Sequence, residues 1–294
     1  MTDLTGTPAI PPGTVAPAHV LTSLLRSRSG LTGAVISIIL LLAGVLSLLH
    51  LLPYDAIAQA PASRLMGPSV AHWFGTDQFG RDVLSRVAAG VANSSLIAVV
   101  AVAFATLVGT AGGLVGGFFR GVPDAFIGGV TNVLFAFPPL LLALSLASVF
   151  QRNWFTVAVA IAIVYVPIFV RVTRGPVLSL CEVEFVRAAT STGRSRTMVM
   201  LRHVLPNLTS ILIVQVTLSL SWAVLTEAAL SFLGLGTPPP APSLGSMIFE
   251  ARTLVSVAPW TMVAPGVVVV LLVVGLNLLG DGLRDVLDPR NRGK

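Results

Sequence analysis

From Leu31 to Leu52 the chain runs for about 22 residues without a formally charged side chain, and a helix needs roughly 20 apolar residues to cross a bilayer core. Similar runs recur at Val91–Phe119, Ala125–Phe150, Trp154–Val170, Leu208 to about Leu235, and Trp260–Leu279. Hydrocarbon offers no hydrogen-bond partners, so each run must satisfy its own backbone, and at this length it does so as a helix. Only 10% of the residues are charged, against about 25% in soluble domains, so water cannot be the main solvent. The pattern therefore predicts an all-α integral membrane protein with about six transmembrane helices. Pro138-Pro139 lie inside the third run, and Pro167 predicts a kink or break in the fourth.

Five segments follow. Residues 1–30 form a Pro- and Thr-rich cytoplasmic tail, and 31–52 the first span. Its apolar core is too long for a cleaved signal, despite small residues at Ala56, Ala58 and Ala60. Residues 53–90 form an extracytoplasmic loop with an interfacial helix. Residues 91–283 form the transmembrane core, and 284–294 a basic tail. With the N-terminus cytoplasmic, six spans return the C-terminus to the cytoplasm. Every basic residue except Arg64, Arg81, Arg86, Arg152 and Arg252 then lies inside, as the positive-inside rule requires. The net charge of +6 is thereby read as topology, with the lipid surface and not nucleic acid as its partner.

The same count places residues 182–207 in the cytoplasm. This is the one long charged stretch between apolar blocks, and it reads as two short helices with a break. Phe185, Ala188, Ala189 and Thr192 have helical spacing, and Gly193 suits a left-handed turn. Ser195 caps a second helix with an apolar side of Met198, Leu201 and Leu205, ended by Pro206-Asn207. Such a basic helix pair between spans reads as a handle for a soluble partner.

Inside the spans, Gly109, Gly113 and Gly117 recur at four-residue steps, which lets a neighbouring helix approach closely. Asn132, Gln215 and Asn277, with Glu227 nearer the outer end, are costly in lipid. They face either a pathway or another helix. No catalytic or metal-binding set emerges. There is no phosphate-binding G-x-x-x-x-G-K-[ST], no H-E-x-x-H and no G-x-S-x-G, and the four histidines are scattered. His72, Asp77 and Asp82 read as turn and capping residues; Arg81 and Arg86, five apart, share no helical face well. The single cysteine, Cys181, permits no internal disulfide.

Arg187-Ala188-Ala189, Gly193 and His203-Val204-Leu205-Pro206 are spaced like the Glu-Ala-Ala…Gly…Ile-x-Leu-Pro loop of permease subunits of bacterial ABC importers. Arg187 stands where that pattern has Glu, and His203 where it has Ile. GTDQFGRDVLSR from Gly75, EAALSFLGLGTPPPAPSLGSM from Glu227 and NLLGDGLRDVLDPR from Asn277 resemble the C-type permease of the peptide/nickel-type subfamily. The resemblance implies a type I ABC importer permease fold and half of a translocation pathway. It implies as partners a homologous B-type permease, two cytoplasmic ATPase subunits and an extracytoplasmic substrate-binding protein. Arg187, Ala188, Ala189, Gly193, Leu205 and Pro206 would engage an ATPase. ATP and magnesium would be held by those partners, leaving no cofactor in this chain. Peptides are the substrate the resemblance favours, with a nickel chelate, glutathione or another small solute as alternatives. An ATP-independent channel or carrier is a further reading, but no internal repeat supports it.

Overall fold

The computed structural model describes residues 23–25, 27–191 and 193–287. Most of the two expected tails, Arg26 and Thr192 lie outside the described residues. The long helices are α1 (Arg28–Leu48), α2 (Val83–Phe119), α5 (Trp154–Leu180), α7 (Arg196–Phe232) and α9 (Trp260–Leu287). Between them stand α3 (Gly121–Phe135), α4 (Pro139–Val149), α6 (Glu184–Ser191) and α8 (Leu244–Ala251).

Among the described residues, 5 helices are long and apolar enough to cross a membrane, and α3 with α4, bent by 93° at the break between them, make a sixth if the pair is one span. The expected continuous third span is thus two helices. Pro139 opens α4, and the residue before a proline is driven out of helical conformation; Pro138 accordingly has ψ 130°. The fourth span departs in the opposite sense. α5 runs unbroken through both Pro167 and Pro176 to Leu180. Proline is tolerated in membrane helices where neighbours satisfy the freed backbone groups, and Pro167 is buried among them.

α2 starts at Asp82, whose side chain accepts from the Ser85 amide. At 37 residues it spans about 55 Å and outruns the hydrocarbon core. Its first turns, with Val83, Val87 and Val91 buried, occupy the place where an interfacial helix was expected. α5 opens on an Asn153–Thr156 capping box and α8 on a Ser243–Ser246 box.

The bundle is built on two close seams. A Cβ at Gly109 would lie 2.4 Å from Phe169 Cβ, at Gly113 2.6 Å from Thr173 Cβ, and at Gly117 2.8 Å from Val177 Cγ1. Only hydrogen fits there, so α2 and α5 meet backbone to backbone. α1 meets α9 likewise: a Cβ at Gly33 would lie 2.4 Å from the Leu279 amide, and one at Gly282 2.5 Å from Gly30 Cα. The sequence reading missed this second seam, because its small residues are split between two distant helices.

Candidate functional site

Residues 182–207 cross one end of the bundle. α6 buries Val186 and leaves Phe185 exposed, and Val183 just before it is exposed as well. After it, Gly193 has φ +74° and open space around its missing side chain. That glycine is required by backbone conformation and not by crowding. Ser195 then accepts from the Met198 amide to cap α7.

Two features of this loop differ from the expectation. Pro206 does not end the second helix. α7 passes through a π-helical turn at Met200–Val204 and a 3₁₀ turn at Leu205–Leu208, then continues as α-helix to Phe232. The Leu205 amide donates to the Met200 carbonyl, so the register widens just ahead of the proline, where its missing N–H interrupts least. The buried side is also not Met198, Leu201 and Leu205. Val199, Met200, Val204 and Leu208 are buried, with Leu205 half-buried. Met198 and Leu201 are 49% and 50% exposed. A widened turn keeps residues four apart in line, and 200, 204 and 208 follow that step.

The buried set packs with Leu114 of α2 and Val177 of α5 into a small separate core. Ala189 and Leu205 pack against this core, while Arg187, Ala188, Gly193 and Pro206 face outward. The loop is thereby fixed to the ends of two spans that share the glycine seam. Its outer surface combines Val183, Phe185, Met198 and Leu201 with Arg187, Arg194, Arg196 and Arg202.

Charge pairs brace the same end. Arg120, between α2 and α3, donates to Glu182 Oε1 at 2.5 Å, and Arg187 donates to Glu182 Oε2. The hydrogen bond from Arg120, then that from Arg187, holds the Glu182 carboxyl below the usual carboxylate range. Arg174 of α5 grips Asp124 of α3 with two bonds of 2.5 and 2.7 Å. Arg171 lies over the Phe135 ring at 4.1 Å, beside the α3–α4 bend.

The polar positions within the spans separate into different surroundings. Asn132 is exposed on α3. Gln215 donates to Ser219 one turn along its own helix, at 3.1 Å. Asn277 of α9 accepts from Ser221 of α7 at 2.9 Å and so joins two helices. Glu227 is fully buried and accepts from Ser231 at 2.6 Å. Ser94 of α2 and Ser243 beside α8 also face it, making it a junction of three elements.

At the opposite end, residues 60–82 fold over the bundle. Trp260 Nε1 donates to the Thr76 carbonyl at 3.0 Å, and Thr76 Oγ1 donates to the Ser63 carbonyl. His72 Nδ1 lies 2.9 Å from Asp82 Oδ1. A buried ion cluster ties this cap to α8: Arg81 bonds Asp77 at 2.6 Å and Glu250 at 3.0 Å, and Arg86 reaches Glu250 at 3.1 Å. The five-residue spacing of the two arginines argued against a shared face. They converge because Arg81 precedes the cap of α2 while Arg86 lies within the helix.

Residues 109–293 match the family described as binding-protein-dependent transport system inner membrane component. The chain is 43% identical over 230 residues to the dipeptide transport system permease protein DppC of Alkalihalophilus pseudofirmus, covering 78% of this chain and 76% of that one. It is 39% identical over 242 residues to the glutathione transport system permease protein GsiD of Pectobacterium atrosepticum, covering 82% and 80%. Against the GsiD protein of Escherichia coli it is 38% identical over 269 residues, covering 91% and 88%.

Proposed function

This chain belongs to the binding-protein-dependent transport system inner membrane components, and on that premise we propose that it is the permease subunit of an ATP-driven peptide importer in the bacterial inner membrane. The observation that carries the coupling role is the outer surface of residues 182–207. Exposed Phe185, Met198 and Leu201 stand among arginines on a loop whose inner side is locked to α2 and α5. Apolar anchors with a basic rim suit a groove on a soluble partner.

In this reading two ATPase subunits supply the energy and hold ATP and magnesium, since this chain lacks the G-x-x-x-x-G-K-[ST] phosphate loop. A homologous B-type permease completes the pathway, and an extracytoplasmic binding protein delivers substrate. This chain is a non-catalytic half of that channel. The loop end lies in the cytoplasm, in keeping with the arginines gathered there. Arg187, Ala188, Gly193 and Pro206 face the ATPase, while Ala189 and Leu205 pass its movement to the small core beneath them. ATP drives the cycle only by binding one arrangement of the complex more tightly than the other. α2 and α5, joined through the glycine seam, then move as one body. Asn132 and Gln215, neither buried nor bonded across to another helix, are the polar positions left for the pathway.

Glutathione is the second substrate reading, favoured by relatives that align over as much as 91% of this chain. The peptide reading and the glutathione reading share one complex and one mechanism. The test of coupling is Gly193→Trp. Its φ of +74° is strained for any larger residue, yet no neighbour lies within 4 Å of the new side chain's first atom. We expect normal insertion and lost uptake in cells. Normal uptake together with stable ATPase assembly would contradict the assignment.

A further inference from the structure

Arg120 holds the corner between α2 and α3 in a conformation that suits glycine. It has φ 53° and ψ −168°, and Gly121 after it has φ +62°. A side chain is strained at positive φ, because its Cβ crowds the backbone carbonyl. Gly121 meets the demand of the corner, whereas Arg120 keeps its side chain against the preference of its backbone. Folding of this chain alone gives that side chain little to do. The Arg120 amide donates to the Gly116 carbonyl, as a glycine amide would, and the side chain makes no cap bond to α3. Its cation is favourable at the end of α2 and unfavourable at the start of α3, so the two helix dipoles offset. Its pair with Glu182 joins side chains 52% and 51% exposed, and ion pairs in water add little to folding.

What the pair does is link the loop to α3. Glu182 lies between α5 and α6, 62 residues along the chain from Arg120, and its second oxygen holds Arg187 of α6. The small core beneath the loop draws on α2, α5, α6 and α7 and, among the described residues, takes none from α3. α3 is reached by charge instead. Arg120 directly precedes it, and Asp124 in its first turn is gripped by Arg174 of α5.

We propose that Arg120 is a positioning residue for coupling, which carries movement of residues 182–191 through Glu182 to the start of α3. The inference rests on the transport reading above. The apolar core moves α2 and α5 as one body, and the Arg120–Glu182–Arg187 bridge adds the bent α3–α4 pair to what the loop moves.

Substitutions at this one position separate coupling from a structural role. Arg120→Gly removes side chain and strain together, so the chain should unfold at the same temperature or higher. Arg120→Gln keeps the strain and loses the charge. Arg120→Lys keeps both, and one donor suffices because Arg120 gives Glu182 a single bond. In vesicles holding the assembled complex, dipeptide accumulated per ATP hydrolysed is expected to fall several-fold in Arg120→Gly and Arg120→Gln, and to be restored in Arg120→Lys. Deuterium exchange gives a local readout. ATP is expected to change exchange across residues 121–135 in the unaltered complex and not in Arg120→Gly. An unchanged ratio in Arg120→Gly, beside a working unaltered complex, would overturn this inference and leave the transport reading standing. So would a ratio in Arg120→Lys as low as in Arg120→Gln, or a lowered unfolding temperature in Arg120→Gly, which would make the residue structural. Failure of the unaltered complex to accumulate dipeptide with ATP would overturn the transport reading and this inference with it.

Discussion

Gly109→Ala should destabilise the bundle, although alanine is the better helix former. The added Cβ would stand 2.4 Å from Phe169 Cβ and 2.7 Å from the Val166 carbonyl oxygen. Carbon contacts settle at about 3.5–4.0 Å, so α2 and α5 must part by roughly 1 Å. A gap of that size removes a quarter to a half of each dispersion contact along the seam. Overpacking of this kind costs about 1–3 kcal/mol, against a helix-propensity gain of up to about 1 kcal/mol. Gly129→Ala is the control, because nothing lies within 4 Å of its added Cβ; it should gain up to about 1 kcal/mol from helix propensity. The two variants should therefore differ by about 1–3 kcal/mol, with Gly109→Ala the weaker. Thermal unfolding of the purified full chain in detergent, followed by loss of the monodisperse peak, reads the difference. Equal stability of the two variants would refute the close-seam reasoning.

Glu250→Ala removes the acceptor shared by Arg81 and Arg86 and leaves Asp77 to face both. With Arg86 2% exposed, a loss of about 3 kcal/mol is expected in the same unfolding assay, and a smaller loss for Glu250→Gln. At the loop, the lowered Glu182 pKa means that its tie to Arg120 and Arg187 is present above the ordinary carboxylate range. The tie is lost as pH falls through the lowered folded value. Hydrogen exchange in residues 182–191, corrected for intrinsic rates, should therefore quicken below that range. In Glu182→Gln it should be fast at neutral pH as well. Asn277→Leu should cost only about 0.6 kcal/mol, the usual worth of one hydrogen bond between membrane helices.

Features that follow from residue type at fixed spacing were legible in the sequence. The glycine stripe at 109, 113 and 117 needed only helical periodicity and the size of hydrogen. The need for glycine at 193 followed from backbone freedom, whereas the expected end of the 182–207 stretch at Pro206 is passed by α7, which runs on to Phe232. Where a proline sits was visible, but its effect was not. Pro138-Pro139 bends the chain by 93°, whereas Pro167 leaves α5 intact; the packing around each decides, and packing is not local. The buried side of α7 was misjudged because a π-helical turn changes the period that the pattern assumed. The ion cluster was out of reach for another reason. Glu250 lies 169 residues from Arg81, and no local pattern joins them.

The central claim is that this chain moves peptide only when partner ATPases drive it through the 182–207 loop. The direct measurement is uptake of a radiolabelled dipeptide into vesicles containing this chain, the second permease and the two ATPases. The binding protein is placed outside, and ATP is enclosed or omitted. Accumulation above the external concentration with ATP, and none without it, is the predicted result. Equal entry with and without ATP, or entry through this chain with the ATPases left out, would contradict the account and leave a passive channel in its place.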